Sequence, residues 1–344
     1  MSADFISEGR KPLASAVRRR GVLKAAAVTA GSVVFGLSGK AAQASDAWPT
    51  KPVRIIVPFG AGSASDIHAR MIAEELQSIY KQPFIVDNKP GANSILGADM
   101  VAKAAPDGYT LLETTSTVHS INPVTLKKLP YHPTKDFTAI ARLSAMPFVF
   151  LVRADLPVRN VQELVAYAKT GDRKLSYGYG NATGRVAGAA LVAKTGIDCV
   201  SIAYRGTPAA MTDLLAGQIA FMTGDLASAK AYIDAQKVRP IAVLNAKRSG
   251  LAPGLPTVAE ALSAPEFDLP TWLGIVGPAG MPSSIVQSLN ERINAFLARK
   301  DVVEKLAMLG AEPEPTTPKD FERFMVQQLD EWRIRVRNVG IEPE

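Results

Sequence analysis

The chain has one cysteine, Cys199, in 344 residues. A lone thiol excludes an internal disulfide, so the fold has to stand on its apolar core alone. Histidine is almost as scarce. His68, His119 and His132 are far apart and lack the spacing of metal ligands. Each reads as a surface or capping residue, and no Cys–His nucleophile pair is suggested. There is no Gly-x-Ser-x-Gly elbow, and no pair of carboxylates stands out for acid–base work. No apolar run reaches the ~20 residues that a membrane-spanning helix needs. These gaps weaken the case for an enzyme and for an integral membrane protein.

What is present is a hydrophobic content of 47% against 21% charged residues, the balance of a folded globular protein. The length implies about two domains of 100–200 residues each. The net charge of +7 is concentrated at the start, where residues 1–44 carry seven Lys or Arg and two acids. The remaining body is close to neutral, which leaves no electrostatic footprint for nucleic acid. Arg18-Arg19-Arg20 precede an Ala-rich apolar stretch, and Ala42-Gln43-Ala44 offers the small-x-small pattern of a signal peptidase site. Residues 1–44 therefore read as an export signal. The run Arg19-Arg-Gly-Val-Leu-Lys24 is similar to a twin-arginine signal, with an ordinary secretory signal as the alternative.

Beyond the signal, short apolar runs alternate with helical patterns, the signature of parallel α/β layers. Strand patterns fall at 53–57, 84–86 and 109–112, with helices at 67–79 and 95–105, a β-α-β-α-β run. A second series follows, with strands at 148–152, 175–177, 200–204, 219–222 and 241–244. Its helices lie at 161–169, 186–195, 209–216 and 228–235. One more strand (272–276) and long helices at 283–298 and 319–338 close the chain. Cys199 sits in the strand-like run Asp198-Cys-Val-Ser-Ile-Ala-Tyr204 and reads as a buried small apolar residue. The simplest arrangement is two α/β lobes with a hinge, the chain returning through the Pro- and Gly-rich segment near 252–270. A ligand then belongs at strand carboxyl ends and between the lobes.

The segment Pro58-Phe-Gly-Ala-Gly-Ser-Ala-Ser-Asp66 joins the first strand to the first helix. Gly60 and Gly62 permit close approach of a ligand. The free amides and dipole of a helix start favour an anion, and Ser63 and Ser65 add hydroxyls. Asp66 in the first turn is placed to cap the amides that a ligand leaves. The same loop is one residue short of a dinucleotide fingerprint, with Asp87 near the position of a ribose-binding acid. That keeps an exported NAD-type oxidoreductase as the rival reading. Against it, Ser65 stands where the third glycine normally allows tight helix–strand packing.

Motifs along the whole exported chain then converge. They include Trp48-Pro-Thr-Lys-Pro-Val-Arg-Ile-Ile-Val-Pro-Phe59, Asn88-Lys-Pro-Gly-Ala92, Ala104-Ala-Pro-Asp-Gly-Tyr-Thr-Leu-Leu112 and Ile121-Asn-Pro123. Further on come Tyr204-Arg-Gly-Thr-Pro-Ala209, Asp213-Leu-Leu-Ala-Gly-Gln218, Leu255-Pro-Thr-Val-Ala-Glu260 and Pro278-Ala-Gly280. This ordered set resembles the Bug family, the extracytoplasmic receptors of tripartite tricarboxylate transporters. The resemblance implies a two-lobed, periplasmic-binding-protein-like (Venus flytrap) α/β fold with a hinge and an interlobe cleft. Lobe 1 would comprise 45–146 and 268–344, and lobe 2 would comprise 147–267. It implies a periplasmic, monomeric receptor without a cofactor or catalytic residues. Such a receptor captures a small carboxylate for membrane permease subunits; a ligand-sensing module is a further alternative. Carried over by motif, the ligand-binding residues are Phe59, Ala61, Gly62, Ser63, Asp66, Thr115 and Ser116 from the first lobe. From the second come Gly180, Asn181, Thr183, Arg185, Gly206, Thr207 and Asp225. Ser63-Ala64-Ser65 is bulkier than the family's glycine loop, and Asp225 lies one position later than the family's usual acid. Arg185 would pair a second carboxylate of the ligand or stand as a solvated helix-start arginine. Cleavage after Ala44 predicts a secreted product beginning at Ser45, which intact-mass spectrometry of the exported protein checks.

Overall fold

The computed structural model describes residues 48–170, 175–265 and 267–343. The export signal and its cleavage site lie outside the described residues.

The chain runs β1 (Val53–Val57), α1 (Ala64–Tyr80), β2 (Phe84–Asn88), α2 (Ile95–Ala102) and β3 (Thr110–Thr115), the β-α-β-α-β series expected. A π-helical turn (Thr117–Ile121) and α3 (Asn122–Thr125) lead into β4 (Phe137–Ala145). The second series is β5 (Phe148–Arg153), α4 (Val161–Thr170), β6 (Leu175–Tyr179), α5 (Ala182–Thr195) and β7 (Cys199–Ala203). It continues with α6 (Thr207–Leu215), β8 (Phe221–Asp225), α7 (Leu226–Asp234) and β9 (Val238–Val243). The chain closes with α8 (Val258–Leu262), β10 (Trp272–Pro278), α9 (Ser283–Leu297), α10 (Lys300–Met308), β11 (Glu312–Pro313) and α11 (Pro318–Asn338).

Two sheets result, ordered β11-β4-β10-β3-β1-β2 and β7-β6-β8-β5-β9. The sequence pattern suggested parallel layers; both sheets are mixed. β1 pairs in parallel with β2 and β3, whereas β10 lies antiparallel between β3 and β4. In the second sheet β6 is parallel to β7 and β8, and β5 is antiparallel to β8 and β9. The antiparallel strands are those adjoining the passages from one sheet to the other, where the chain enters from the far side instead of through a crossover helix.

Each sheet is covered on both faces, so its central strands are almost uninterrupted apolar runs. Alternation along β1 sends Ile55 into the core beneath α1 and α9, with Met71, Leu76 and Leu289. Ile56 goes to the opposite core with Leu112, Trp272 and Phe321. The second sheet is packed likewise, with Phe150, Tyr177, Val186 and Leu191 on one face and Leu151, Met211 and Met222 on the other.

Two segments pass between the sheets. Ala145 ends β4 and Phe148 begins β5, and the return runs from β9 through 244–271 to β10. They travel side by side: the Met146 N–H donates to the Thr271 carbonyl at 3.0 Å, and the Leu269 N–H to the Leu244 carbonyl at 2.9 Å. A third link is α11. Its Phe321 and Met325 sit in a core of the first sheet, while Trp332 and Val336 sit in a core of the second. These positions recur every three to four residues along one face.

Two of the histidines depart from the surface or capping role expected. His68 and His119 are buried. His68 lies on the core-facing side of α1, with its Nδ1 at 2.8 Å from the Ala64 carbonyl. His119 lies in the π-helical turn, with its Nδ1 at 2.5 Å from the Pro133 carbonyl and its ring against Trp272 and Phe137. Only His132 is a local cap, accepting the amides of Thr134 and Lys135. Cys199 is half-buried instead of buried, because β7 is an edge strand.

Trp332→Ala should lower the unfolding free energy by about 3–5 kcal/mol, the cost of emptying a buried tryptophan site. Ile334→Ala, on the exposed side of the same helix, should stay within about 0.5 kcal/mol. Denaturant titration of the two variants gives the comparison.

Candidate binding cleft

A cleft of about 800 Å³ opens where the carboxyl ends of strands from both sheets meet. On the first-sheet side its wall is the β1–α1 loop, the β2–α2 loop and the end of β3. On the second-sheet side it is the β6–α5 and β7–α6 connections and the end of β8. Met146, Phe148, Thr271 and Trp272, from the passages between sheets and their flanks, complete the lining.

Of the residues expected from the sequence, Phe59, Ala61, Ser63, Thr115 and Ser116 line the first side. Gly180, Asn181, Thr183, Gly206, Thr207 and Asp225 line the second. Gly62, Asp66 and Arg185 do not reach the lining. Gly62 shapes the loop, with a φ of +79° that a side chain adopts only under strain.

Asp66 works from behind the loop. Its carboxylate accepts the Gly62 N–H at 2.9 Å, the Asn88 amide at 3.0 Å and the Arg70 guanidinium at 3.1 Å. Burial raises its pKa, but the hydrogen bonds from Arg70, Gly62 and Asn88 outweigh this and hold it below the usual carboxylate range. Asn88 also donates to the Phe59 carbonyl at 3.0 Å. The bend of the β1–α1 loop is thus fixed before any ligand arrives. Beneath it lies Glu113 on β3, whose carboxyl burial pushes well above its ordinary range. The Ser65 hydroxyl partly offsets that rise, and the charge of Asp66 adds to it.

Several expected contacts spend a polar atom on their own helix. Ser63 caps α1 by accepting the Asp66 N–H, and Asn181 caps α5 by accepting the Gly184 N–H at 2.9 Å. Asp225 caps α7 by accepting the Ser228 N–H at 2.7 Å. Helix α6 differs, for it starts behind Gly206 with no side-chain cap. No side chain caps its first amides, those of Thr207 and Ala209, Pro208 having none, and α2 starts behind Ser94 equally uncapped. Gly180 lets the β6–α5 turn close on the α6 start: a Cβ there would lie 2.2 Å from the Thr207 nitrogen.

Other lining residues were not singled out. Asn88-Lys-Pro-Gly-Ala92 was noted as a motif, yet Pro90, Gly91, Ala92, Asn93 and Ser94 all face the cleft. Ala92, Asn93 and Ser94 follow one another at φ of 45°, 52° and 74°. Such a left-handed run costs about 1–2 kcal/mol per non-glycine residue, and no local pattern announces it. The Asn122 amide holds it by donating to the Asn93 carbonyl at 2.7 Å. Tyr204 and Arg205 were visible in the motif that supplied Gly206 and Thr207. Trp272 comes from a strand 67 positions beyond Arg205 and reaches the cleft only through sheet order.

The rival dinucleotide reading finds no support at Asp87. That carboxylate is paired with Arg54 and Lys89 and does not line the cleft. Among the described residues no group of His, Cys, Asp or Glu is placed to hold a metal ion. No helix among them is long and apolar enough to cross a membrane.

Two α/β lobes with a cleft at strand ends define a solute-binding protein of the periplasmic type. The model of the tripartite tricarboxylate transporter family receptor matches residues 68–341, and the chain belongs to that family. Receptors of this family are periplasmic. BugT of Bordetella pertussis is 32% identical over 313 residues, covering 90% of this chain and 95% of its own. The structure of Rpa4515 of R. palustris with adipate superposes with a TM-score of 0.82 at 33% identity, over 86% of this chain and 100% of that one. MatC of Rhodopseudomonas palustris with bound malate superposes at 0.77 and 29% identity, over 84% and 99%.

His119 makes the fold sensitive to acid. Burial lowers its pKa from 6.5 to about 4, so the folded protein holds the ring neutral. Below pH 6.5 the unfolded chain binds a proton that the folded chain refuses. Stability should therefore fall as pH drops from 6.5 to about 4, by about 3 kcal/mol at full extent. His119→Gln should flatten that part of the stability–pH curve in urea unfolding at stepped pH.

Proposed function

We propose that this protein is a periplasmic receptor that captures a small carboxylate and hands it to the permease subunits of a tripartite transporter. The observation that carries the reading is the chemistry of the cleft wall. Ser94, Ser116, Thr183 and Thr207 are buried hydroxyl residues lining it. Beside them stands the uncapped start of α6. Hydroxyls and oriented amides bind an anion without a resident cation. Two of the similar structures hold adipate and malate, both small carboxylates.

The mechanism we assign is binding followed by closure, with no chemical step. Residues 45–146 and 268–344 would move as one lobe against 147–267, bending at the paired passages beside Met146 and Thr271. The receptor acts as a monomer, exported by the signal in residues 1–44. The sequence-derived contacts are proposed as ligand neighbours, with Gly62 and Asp66 shaping the loop that presents them.

A thermal-shift screen of mono-, di- and tricarboxylates on the exported protein tests this reading. A ligand at a hundredfold over its dissociation constant should add about 2.7 kcal/mol of stability. Gly62→Val should remove that gain, because a β-branched residue resists the left-handed loop, while the unliganded protein stays folded. Normal binding by the variant would take the β1–α1 loop out of the site, and silence across the panel would remove the carboxylate itself.

A further inference from the structure

The π-helical turn and α3 lie in the span assigned above to the first lobe, yet they pack against both. Val118 is in a core of the first sheet with Leu112, Trp272 and Phe321. Ile121, three residues on, is fully buried in a core of the second sheet with Phe150, Val186 and Trp332. Val124 packs against that same core. The turn also touches α5 and α11. The lobes therefore meet here as well as at the paired passages and along α11.

Asn122 closes this turn. Its N–H donates to the Thr117 carbonyl, five residues back, and Thr117 lines the cleft. Its side chain is fully buried and donates to the Asn93 carbonyl at 2.7 Å. Asn93 is the middle of the left-handed run Ala92-Asn93-Ser94, another part of the cleft wall. Backbone held in such a conformation persists only where its surroundings impose it. Within the run the Ser94 N–H donates to the Gly91 carbonyl at 3.0 Å and the Ile95 N–H to the Ala92 carbonyl. One residue thus joins two segments of the first-lobe wall and, through its neighbour Ile121, the core of the second lobe.

Resting on the receptor reading and the lobe closure above, we propose that Asn122 is a positioning residue that makes the shape of the β2–α2 wall depend on where the second lobe stands. A shift of that lobe carries Ile121 with its core. A hydrogen bond is lost within about 1 Å of stretch, so a small displacement of the turn releases Asn93 and lets the left-handed run relax. The wall then has its binding shape only in the lobe arrangement that keeps Asn122 in reach.

Hydrogen exchange at the Ser94 and Ile95 amides of the solute-free exported protein tests the coupling. Asn122→Ala should speed that exchange about tenfold or more, by opening the run locally. Asn290→Ala is the control, because Asn290 is also buried in the first lobe and donates to the Ile140 and Thr316 carbonyls at 2.7 and 2.8 Å, but does not line the cleft. It should leave the two amides at the wild-type rate. Ile121→Val keeps Asn122 and loosens its anchor, so it should also speed the exchange. Ile241→Val, in the same second-sheet core, should not. Equal rates in Asn122→Ala and Asn290→Ala overturn the positioning role, and equal rates in Ile121→Val and Ile241→Val overturn the link to the second lobe. Calorimetry with succinate, malate, adipate and citrate adds a second arm. Any of them that binds the wild type should bind Asn122→Ala about tenfold more weakly and Asn290→Ala as before; undiminished affinity in Asn122→Ala overturns the proposal. If none of the four binds the wild type, that result counts against the receptor reading, and the exchange rates still decide the coupling.

Discussion

The rest of the structure turns on one constraint: a helix start leaves backbone N–H groups with no partner inside the helix, and buried donors have to be satisfied. Around the cleft the protein answers this with its own side chains at α1, α5 and α7, through Ser63, Asn181 and Asp225. At α6 it does not, because Gly206 stands in the capping position. Helix α2, which also starts at the cleft behind Ser94, has no side-chain cap either, so open donors face the cleft from both sheets. Asp66 illustrates the division of labour. A carboxylate in an anion site would repel the anion, but here it is turned away from the cleft and consumed by Gly62, Asn88 and Arg70.

The same economy of charge governs the interior. His68, Glu113 and His119 all lie close behind the cleft wall, and burial shifts each toward its neutral form. Neutral groups leave the electrostatic field in the cleft to oriented amides, hydroxyls and the two charged lining residues, Arg205 and Asp225. The desolvation costs stability in acid at the histidines and toward higher pH at Glu113, and at all three it keeps charge away from the cleft.

The binding between lobes proposed above would need halves that are joined yet able to bend. The paired passages near Met146 and Thr271 are short extended segments, which tolerate changes in backbone angles better than a helix. Helix α11 adds a different kind of link, with its two ends in two hydrophobic cores. Gln328, buried between Met325 and Trp332, marks the seam, where a polar side chain replaces the apolar stripe.

Local structure was largely legible because hydrophobic period is a local property: the runs at 53–57 and 148–152 and the helices at 161–169 and 319–338 match observed elements closely. The loop chemistry of Phe59 to Ser63 and of Gly206 and Thr207 was legible for a similar reason, since glycine and hydroxyl residues at a strand-to-helix junction have few other uses. β4 escaped notice because Phe137-Thr-Ala-Ile-Ala-Arg-Leu-Ser-Ala145 has small residues where a strand pattern needs large ones, and its position between β10 and β11 supplies the missing packing. Strand direction was not encoded either, for an apolar run reads the same whether its neighbour is parallel or antiparallel. Motif order by itself determined an α/β receptor of the tripartite tricarboxylate family, with a glycine- and hydroxyl-rich loop after its first strand. The tertiary structure alone decided that Trp272 and Asn93 face the same space as Thr207, that His119 is buried, and that Asp225 lies at the cleft while capping α7. Those facts depend on which distant segments pack together, and burial sets the charge state and exposure of a side chain only after that packing exists.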